Sequence, residues 1–271
     1  MLQIQNLHFE YSPKHPLING VNLQLQQGQL LTILGANGCG KSTLLNCIAG
    51  LLTPKCGQIL LENQPLYNLT SKQIAQKIAY VSQYSPQTYQ YKVRDYVVLG
   101  RAAHLGVFDK PDETDFALVD QALDKLGISH FADKVYMQMS GGEKQLVNLA
   151  RILVQQPKLI LFDEPTSMLD YANVFKTLTL IKSLSQLGFS VVMTTHNPDY
   201  PMLLHNALPH SCVAILNEQG KLQSGSAPDI LTQENLTALY HTDLRVINVP
   251  ELQRQICAIT HLQEKLCYTE S

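Results

Sequence analysis

Along its first thirty residues the chain alternates. "LQIQNLHF" and "VNLQLQ" place an apolar side chain at every second position on either side of "SPKHP", the period of half-buried strands around a turn. "LLTIL" replaces the alternation with a continuous apolar run ending in glycine, which suits a strand buried on both faces and feeding a loop. A helix is predicted from about Lys41 to Ile48, then a strand at "GQILLEN", a short helix at "SKQIAQK" and a strand at "IAYVSQ". Between Ser85 and Gln156 the spacing turns helical, through "VRDYVVLGR", "FALVDQALDKLG" and the stretch opened by Ser140, and this reads as an inserted helical lobe. Strand patterns return with "KLILF" and "SVVMTT" on either side of a helix from about Asn173 to Gln186, a β-α-β alternation that implies a parallel sheet. "CVAIL" and "KLQSG" read as a hairpin around Glu218 to Gly220, and residues 251–271 carry helix-compatible spacing.

Size and charge narrow the field. At 271 residues, with 45% hydrophobic side chains, the chain can form one large α/β domain with an inserted lobe, or two small domains. A formal net charge of -2 gives no general electrostatic grip on a nucleic-acid backbone, so no nucleic-acid partner is expected. The six cysteines include no CxxC pair, which argues against a zinc site and fits a reducing compartment. No apolar run reaches the ~18 residues of a membrane span, and the N-terminus alternates where a signal peptide would be continuous; the expected location is cytoplasmic.

Candidate chemistry begins at "GANGCGKS", Gly35 to Ser42, which fits the pattern GxxxxGK[ST] between an apolar strand and a helix. In such a loop the glycines let backbone amides curl around phosphate oxygens, Lys41 reaches the β and γ phosphates, and Ser42 can ligate Mg²⁺. Downstream, "LILFDEP" sets Asp163 and Glu164 at the end of a buried strand, where two carboxylates are expensive unless they serve a cation or a proton. Asp163 is expected to hold Mg²⁺ through its hydration shell, and Glu164 to polarise an attacking water. Gln83 and His196 also end apolar strands, the edge of a parallel sheet where ligands bind. In "MQMSGGEKQLVNLAR", Ser140 and Glu143 have capping-box spacing, but two glycines in a first helical turn each cost roughly 1 kcal/mol against alanine and suggest close approach to that backbone. Cys39, at a helix N-terminus beside Lys41, is expected to have a depressed thiol pKa.

With the phosphate loop, Gln83, Ser-Gly-Gly, Asp-Glu and His196 in that order, the chain resembles the ATP-binding subunit of an ABC transporter over about residues 1–245. The resemblance implies an α/β P-loop NTPase fold with a RecA-like core and mainly parallel sheet, an N-terminal antiparallel β subdomain and an inserted α-helical subdomain. Residues 1–84 and 157–245 would form the core, 85–156 the inserted subdomain and 246–271 a tail. It implies ATP and Mg²⁺ as cofactors. Gly35, Asn37, Gly38, Cys39, Gly40, Lys41, Ser42 and Thr43 would hold phosphate, and Tyr11 would stack on adenine. Ser42, Gln83 and Asp163 would serve the metal; Glu164, His196, Gln83 and Lys41 would serve catalysis.

The resemblance further implies a head-to-tail dimer with a second copy of the chain, in which Ser140, Gly141 and Gly142 close on nucleotide held by the other subunit and Asp170 lies at the interface. The remaining partners would be integral-membrane permease subunits, contacted through Val93 to Gly106, and an external solute-binding protein acting through them. "SKQIAQKIAYVSQ" and "VRDYVVLGRAAHLG" are similar to the subfamily that imports metal chelates such as iron-siderophore, haem or cobalamin. Glu143 stands where the family usually has glutamine, Met168 where it often has alanine, and Ala103 where the subfamily commonly has proline. A soluble ABC ATPase acting on nucleic acid or ribosomes would need a basic surface or a long coiled-coil insertion, and a GTPase an [NT]KxD run; neither is visible.

Overall fold

The computed structural model describes residues 1–12, 15–81, 90–106 and 108–260, so Gln83 lies outside the described residues. Strands β1 (Leu2–Ser12), β2 (His15–Leu25), β4 (Cys56–Leu61) and β5 (Gln64–Pro65) form an antiparallel sheet in the order β2-β1-β4-β5. Its alternation puts Leu2, Ile4, Leu7 and Phe9 on one buried face.

The second sheet has six strands in the order β10-β9-β3-β8-β7-β6, formed by β3 (Leu30–Leu34), β6 (Ile78–Val81), β7 (Leu159–Phe162), β8 (Ser190–Thr195), β9 (Cys212–Leu216) and β10 (Leu222–Ser226). All neighbours are parallel except β10, which pairs antiparallel with β9 as the predicted hairpin requires. The continuous apolar runs of β3, β7 and β8 have a direct cause: both faces of the sheet are covered. Leu31, Ile33, Leu159, Leu161 and Val192 pack with α1 (Lys41–Ile48) and the antiparallel sheet. Leu30, Ile160, Phe162, Val191 and Met193 pack on the opposite side against α6 (Tyr171–Gln186).

In sequence, α2 (Ser71–Lys77) lies between β5 and β6, and α3 (Val93–Val98), α4 (Glu113–Lys125) and α5 (Gly141–Gln155) lie between β6 and β7. Helices α2, α4 and α5 each open on a complete capping box, Thr70 with Gln73, Asp112 with Asp115, and Ser140 with Glu143. Helices α3 to α5 enclose a core of their own, centred on Val93, Val97, Val119, Leu123, Val147 and Val154.

After β8, α7 (Asp199–Ala207), α8 (Ala227–Ile230) and α9 (Gln233–Tyr240) pack on β9. The expectation of helical spacing across 251–271 fails where it can be compared. β11 (Leu244–Val249) and β12 (Arg254–Ile259) pair antiparallel around a turn in which Gln253 takes φ 50°. Leu252, Ile256 and Ile259 do fit a helical face, but "LRVINV" supplies a strand partner in register, and for so short a segment pairing outweighs local spacing. Residues 261–271 lie outside the described residues.

Candidate functional site

β3 ends at Leu34, paired with Thr195 at the end of β8, and the chain enters the Gly35 to Ser42 loop at the carboxyl edge of the sheet. Two glycines there are required by geometry. A Cβ on Gly35 would sit 2.5 Å from Cys39 Sγ and 2.8 Å from the Leu216 carbonyl oxygen; Gly40 has φ 105° and ends the loop at the N-cap of α1. No side chain caps that helix, so its first amides point into the loop.

Lys41 is buried, with only 5% exposure, and its ammonium is shared among three acceptors: the carbonyls of Gly35 (2.9 Å) and Ala36 (3.0 Å) and Glu164 Oε1 (3.0 Å). The other Glu164 oxygen, Oε2, lies 2.7 Å from His196 Nδ1, so one carboxylate bridges the loop lysine and the histidine after β8. Asp163 is held from three sides. Ser42 Oγ and Thr194 Oγ1 each donate to its Oδ1 at 2.9 Å, and the Tyr80 phenol donates to Oδ2 at 3.1 Å. Burial, and then the Asp163 charge, raises the Tyr80 phenol pKa well above its ordinary value, so it stays a donor.

Leu17, Asn37, Gly38, Gly40, Lys41, Ser42, Thr43, Glu164, Ser167, Met168 and His196 line a single cleft of about 410 Å³. Tyr11 stands at its margin, 68% exposed, with its hydroxyl 3.4 Å from Thr43 Oγ1 and its ring edge-on to Phe9. Ser42 Oγ and the Asp163 carboxylate are adjacent hard oxygen donors, a set that fits Mg²⁺, which takes one or two protein oxygens and fills the rest of its octahedron with water and phosphate. Among the described residues no group of three or more His, Cys, Asp or Glu could hold a metal by itself.

Ser140, Gly141, Gly142 and Asp170 do not line this cleft. They lie beside the start of α6, where Asp170 accepts from the Asn173 amide (2.8 Å) and side chain (3.1 Å) and a Cβ on Gly141 would lie 3.5 Å from Asn173 Oδ1; Gly141 and Asn173 line a neighbouring cleft that shares Glu164 and Ser167 with the first. Glu143 is turned back to accept from the Ser140 amide at 2.8 Å, and that bond lowers its pKa.

Cys39 departs from expectation. Its thiol is buried, and desolvation raises its pKa despite the opposing pull of Lys41, because burial penalises the thiolate more than one neighbouring cation favours it. Three participants escaped the sequence reading. Thr194 and Tyr80 were hidden inside strand patterns, although a "TT" closing an apolar run was a usable signal; Tyr240, whose hydroxyl donates to the His196 carbonyl at 2.5 Å, carried none.

Residues 18–167 match the ABC transporter family. The chain belongs to that family. It is 38% identical over 241 residues to a molybdate import ATP-binding protein of Haemophilus influenzae, covering 89% of this chain and 88% of the relative. A hemin import ATP-binding protein of Pseudomonas fluorescens is 34% identical, with 93% and 96% covered. Among solved structures, an inward-facing metal-chelate type ABC transporter superimposes with TM-score 0.80 at 34% identity, over 96% of this chain and 97% of that one. The protein is thus an ABC transporter ATPase subunit, and no helix among its described residues is long and apolar enough to cross a membrane.

Proposed function

We propose that two copies of this chain sandwich two ATP molecules head to tail and use closure and hydrolysis to drive uptake of a metal chelate or related oxyanion through a separate membrane permease. The observation that carries the reading is the separation of two half-sites on one chain: a cleft with phosphate loop and carboxylates, and a glycine-faced helix mouth at Ser140 to Gly142 outside it. A second copy can supply to each cleft what its own chain holds elsewhere. Relatives that import molybdate and hemin, and the metal-chelate transporter, support the solute class.

Within the cleft, the amides of Gly38 to Ser42 and the Lys41 ammonium would bind the β and γ phosphates. Ser42 and Asp163 would hold Mg²⁺, which offsets charge developing between those phosphates. Glu164 would take a proton from the attacking water, with His196 holding the carboxylate through its Oε2. Tyr11 would cover the adenine ring. Val93 to Gly106 and Gln83 would meet the permease, an external binding protein would deliver solute to it from the other side, and the subunit would sit peripherally on the cytoplasmic face of the cell (inner) membrane.

A mixed-dimer experiment tests the arrangement. In a Glu164→Gln background that blocks hydrolysis, Lys41→Ala damages the cleft and Ser140→Arg obstructs the helix mouth. Each homodimer should trap little ATP. Coexpressed, doubly tagged mixed dimers should retain about one ATP, because an intact cleft then faces an intact mouth. Retention no higher than in either parent, with mixed dimers shown to be present, rules out the trans arrangement.

A further inference from the structure

The last residue of α9 reaches the candidate site from far along the chain. Tyr240 donates its hydroxyl hydrogen to the backbone carbonyl of His196 at 2.5 Å, and its own position is firmly set. Leu236 and Leu239 of the same helix are buried with Leu34, Met202, Val213 and Ile215, and Tyr240 packs against that cluster beside Val246 and Cys257. Leu34 is the final residue of β3, so one apolar cluster anchors both α9 and the strand that feeds the phosphate loop. Beyond Tyr240 the chain turns at His241, φ 51°, and Thr242 Oγ1 donates back to the Tyr240 carbonyl at 2.9 Å. Burial, its largest cause, raises the phenol pKa far above the ordinary value, so the donor persists across the working pH range.

The recipient is less constrained. His196 sits in the bend between β8 and α7, where the Asn197 amide bonds Thr195 Oγ1 at 3.1 Å and the Asp199 amide bonds Asn197 Oδ1 at 2.9 Å. Its side chain is 48% exposed, so little packing aims the ring at Glu164. Its aim depends on where the backbone holds the Cα, and a displacement of about 1 Å can cost a catalytic site roughly a hundredfold. The C-terminal hairpin braces the same bend: the Cys257 amide donates to Asp199 Oδ1 at 2.8 Å, three residues after His196.

We infer that Tyr240 is a positioning residue for ATP hydrolysis: by pinning the His196 carbonyl it sets the approach of the imidazole to Glu164, which makes α9 and the hairpin after it part of the hydrolytic site. This rests on the proposed roles of Glu164 and His196. Wild type, Tyr240→Phe, His196→Ala and the double variant of the full chain are compared in steady-state MgATP hydrolysis, with ATP affinity and melting midpoint measured beside it. Tyr240→Phe keeps the ring and deletes the hydroxyl. It should lower kcat about three- to tenfold, the range for one lost hydrogen bond, with ATP affinity unchanged. In the His196→Ala background it should cause no further loss, since nothing remains to be aimed. A purely structural tyrosine would instead lower the melting midpoint and slow both backgrounds alike. A slow His196→Ala beside a Tyr240→Phe with wild-type kcat, or equal losses from Tyr240→Phe in both backgrounds, overturns the inference alone. Wild-type turnover by both His196→Ala and Glu164→Gln overturns the reading of the site, and the inference with it. If Tyr240→Phe proves less stable, the same cycle is measured well below its melting midpoint, where its folded fraction is complete.

Discussion

Glu164 holds a backbone conformation that few side-chain-bearing residues accept, with φ 47°. Left-handed geometry costs an L-residue roughly 1–2 kcal/mol, and it persists only where surroundings over-determine it. Here they do: the Glu164 amide donates to Thr194 Oγ1 at 2.9 Å, while its two carboxylate oxygens are taken by Lys41 and His196. The twist turns the carboxylate toward the loop while its neighbour Asp163 faces Ser42, so two adjacent acids reach two different targets. Cys39 shows the opposite balance, a residue whose sequence setting promised reactivity and whose burial removes it. With its pKa raised and its sulfur covered, Cys39 should react slowly with a maleimide at neutral pH, and the exposed Cys56 should be modified first. Site-resolved mass spectrometry over a labelling time course reads the order; Cys39 appearing ahead of Cys56 would show that the loop opens in solution far enough to expose the thiol.

At the scale of elements, α5 is the joint between the helical lobe and the sheet. Leu149 and Ile152 pack toward β7 and α6, whereas Val147, Ala150 and Val154 face α3 and α4, so one helix is apolar on two sides. The part-buried Arg101–Asp115 pair, 2.8 Å apart, tightens the lobe, and Arg101 also donates to the Val154 carbonyl at 3.2 Å. Gly100 permits that approach: a Cβ there would lie 2.3 Å from the Arg151 carbonyl oxygen on α5. Gly100→Ala must push α5 away from the turn after α3, and overpacking of this kind destabilises by about 1–3 kcal/mol. Denaturant unfolding should show that loss, with the midpoint shifted at unchanged slope; an unshifted midpoint would mean the helices slide apart without strain. These elements also mark what could be read from sequence. Apart from the two-residue β5, the strands of the two larger sheets were legible, as were α1 and α5, because period, glycine spacing and caps are local signals. The hairpin at 244–259 was not, because its strands gain stability only by pairing with each other. Asp163, Glu164 and His196 announced themselves as polar residues ending apolar runs. Thr194, Tyr80 and Tyr240 bear on the site through contacts 31, 83 and 44 residues away, which no window along the chain reveals.

For the whole molecule, burial of weak acids sets a direction for stability against pH. The thiols of Cys39, Cys47, Cys212 and Cys257 are all raised chiefly by burial, Cys47 to about 11. The phenols of Tyr80, Tyr136 and Tyr240 are raised for the same leading reason, Tyr136 to about 12. A folded-state pKa above the unfolded one means that the unfolded chain releases its protons first as pH rises. The stabilisation is therefore complete below the unfolded values, about 8.5 for thiols and about 10 for phenols, and is lost progressively above them. The melting midpoint should stay level from pH 7 to about 8.5 and fall steadily by about pH 10.5. Exposed pairs such as Lys92 with Asp133 and Arg94 with Asp120 act in the same direction only at still higher pH, and salt screens them. Growing net negative charge would also destabilise the fold at high pH, and salt screens that too. Repeating the titration in about 1 M NaCl isolates the buried groups, whose ionisation stays unfavourable whatever the ionic strength. The alkaline fall should survive in salt. A midpoint that remains level to about pH 10.5, or a fall abolished by salt, would place the cause at the surface and contradict the burial of these seven groups.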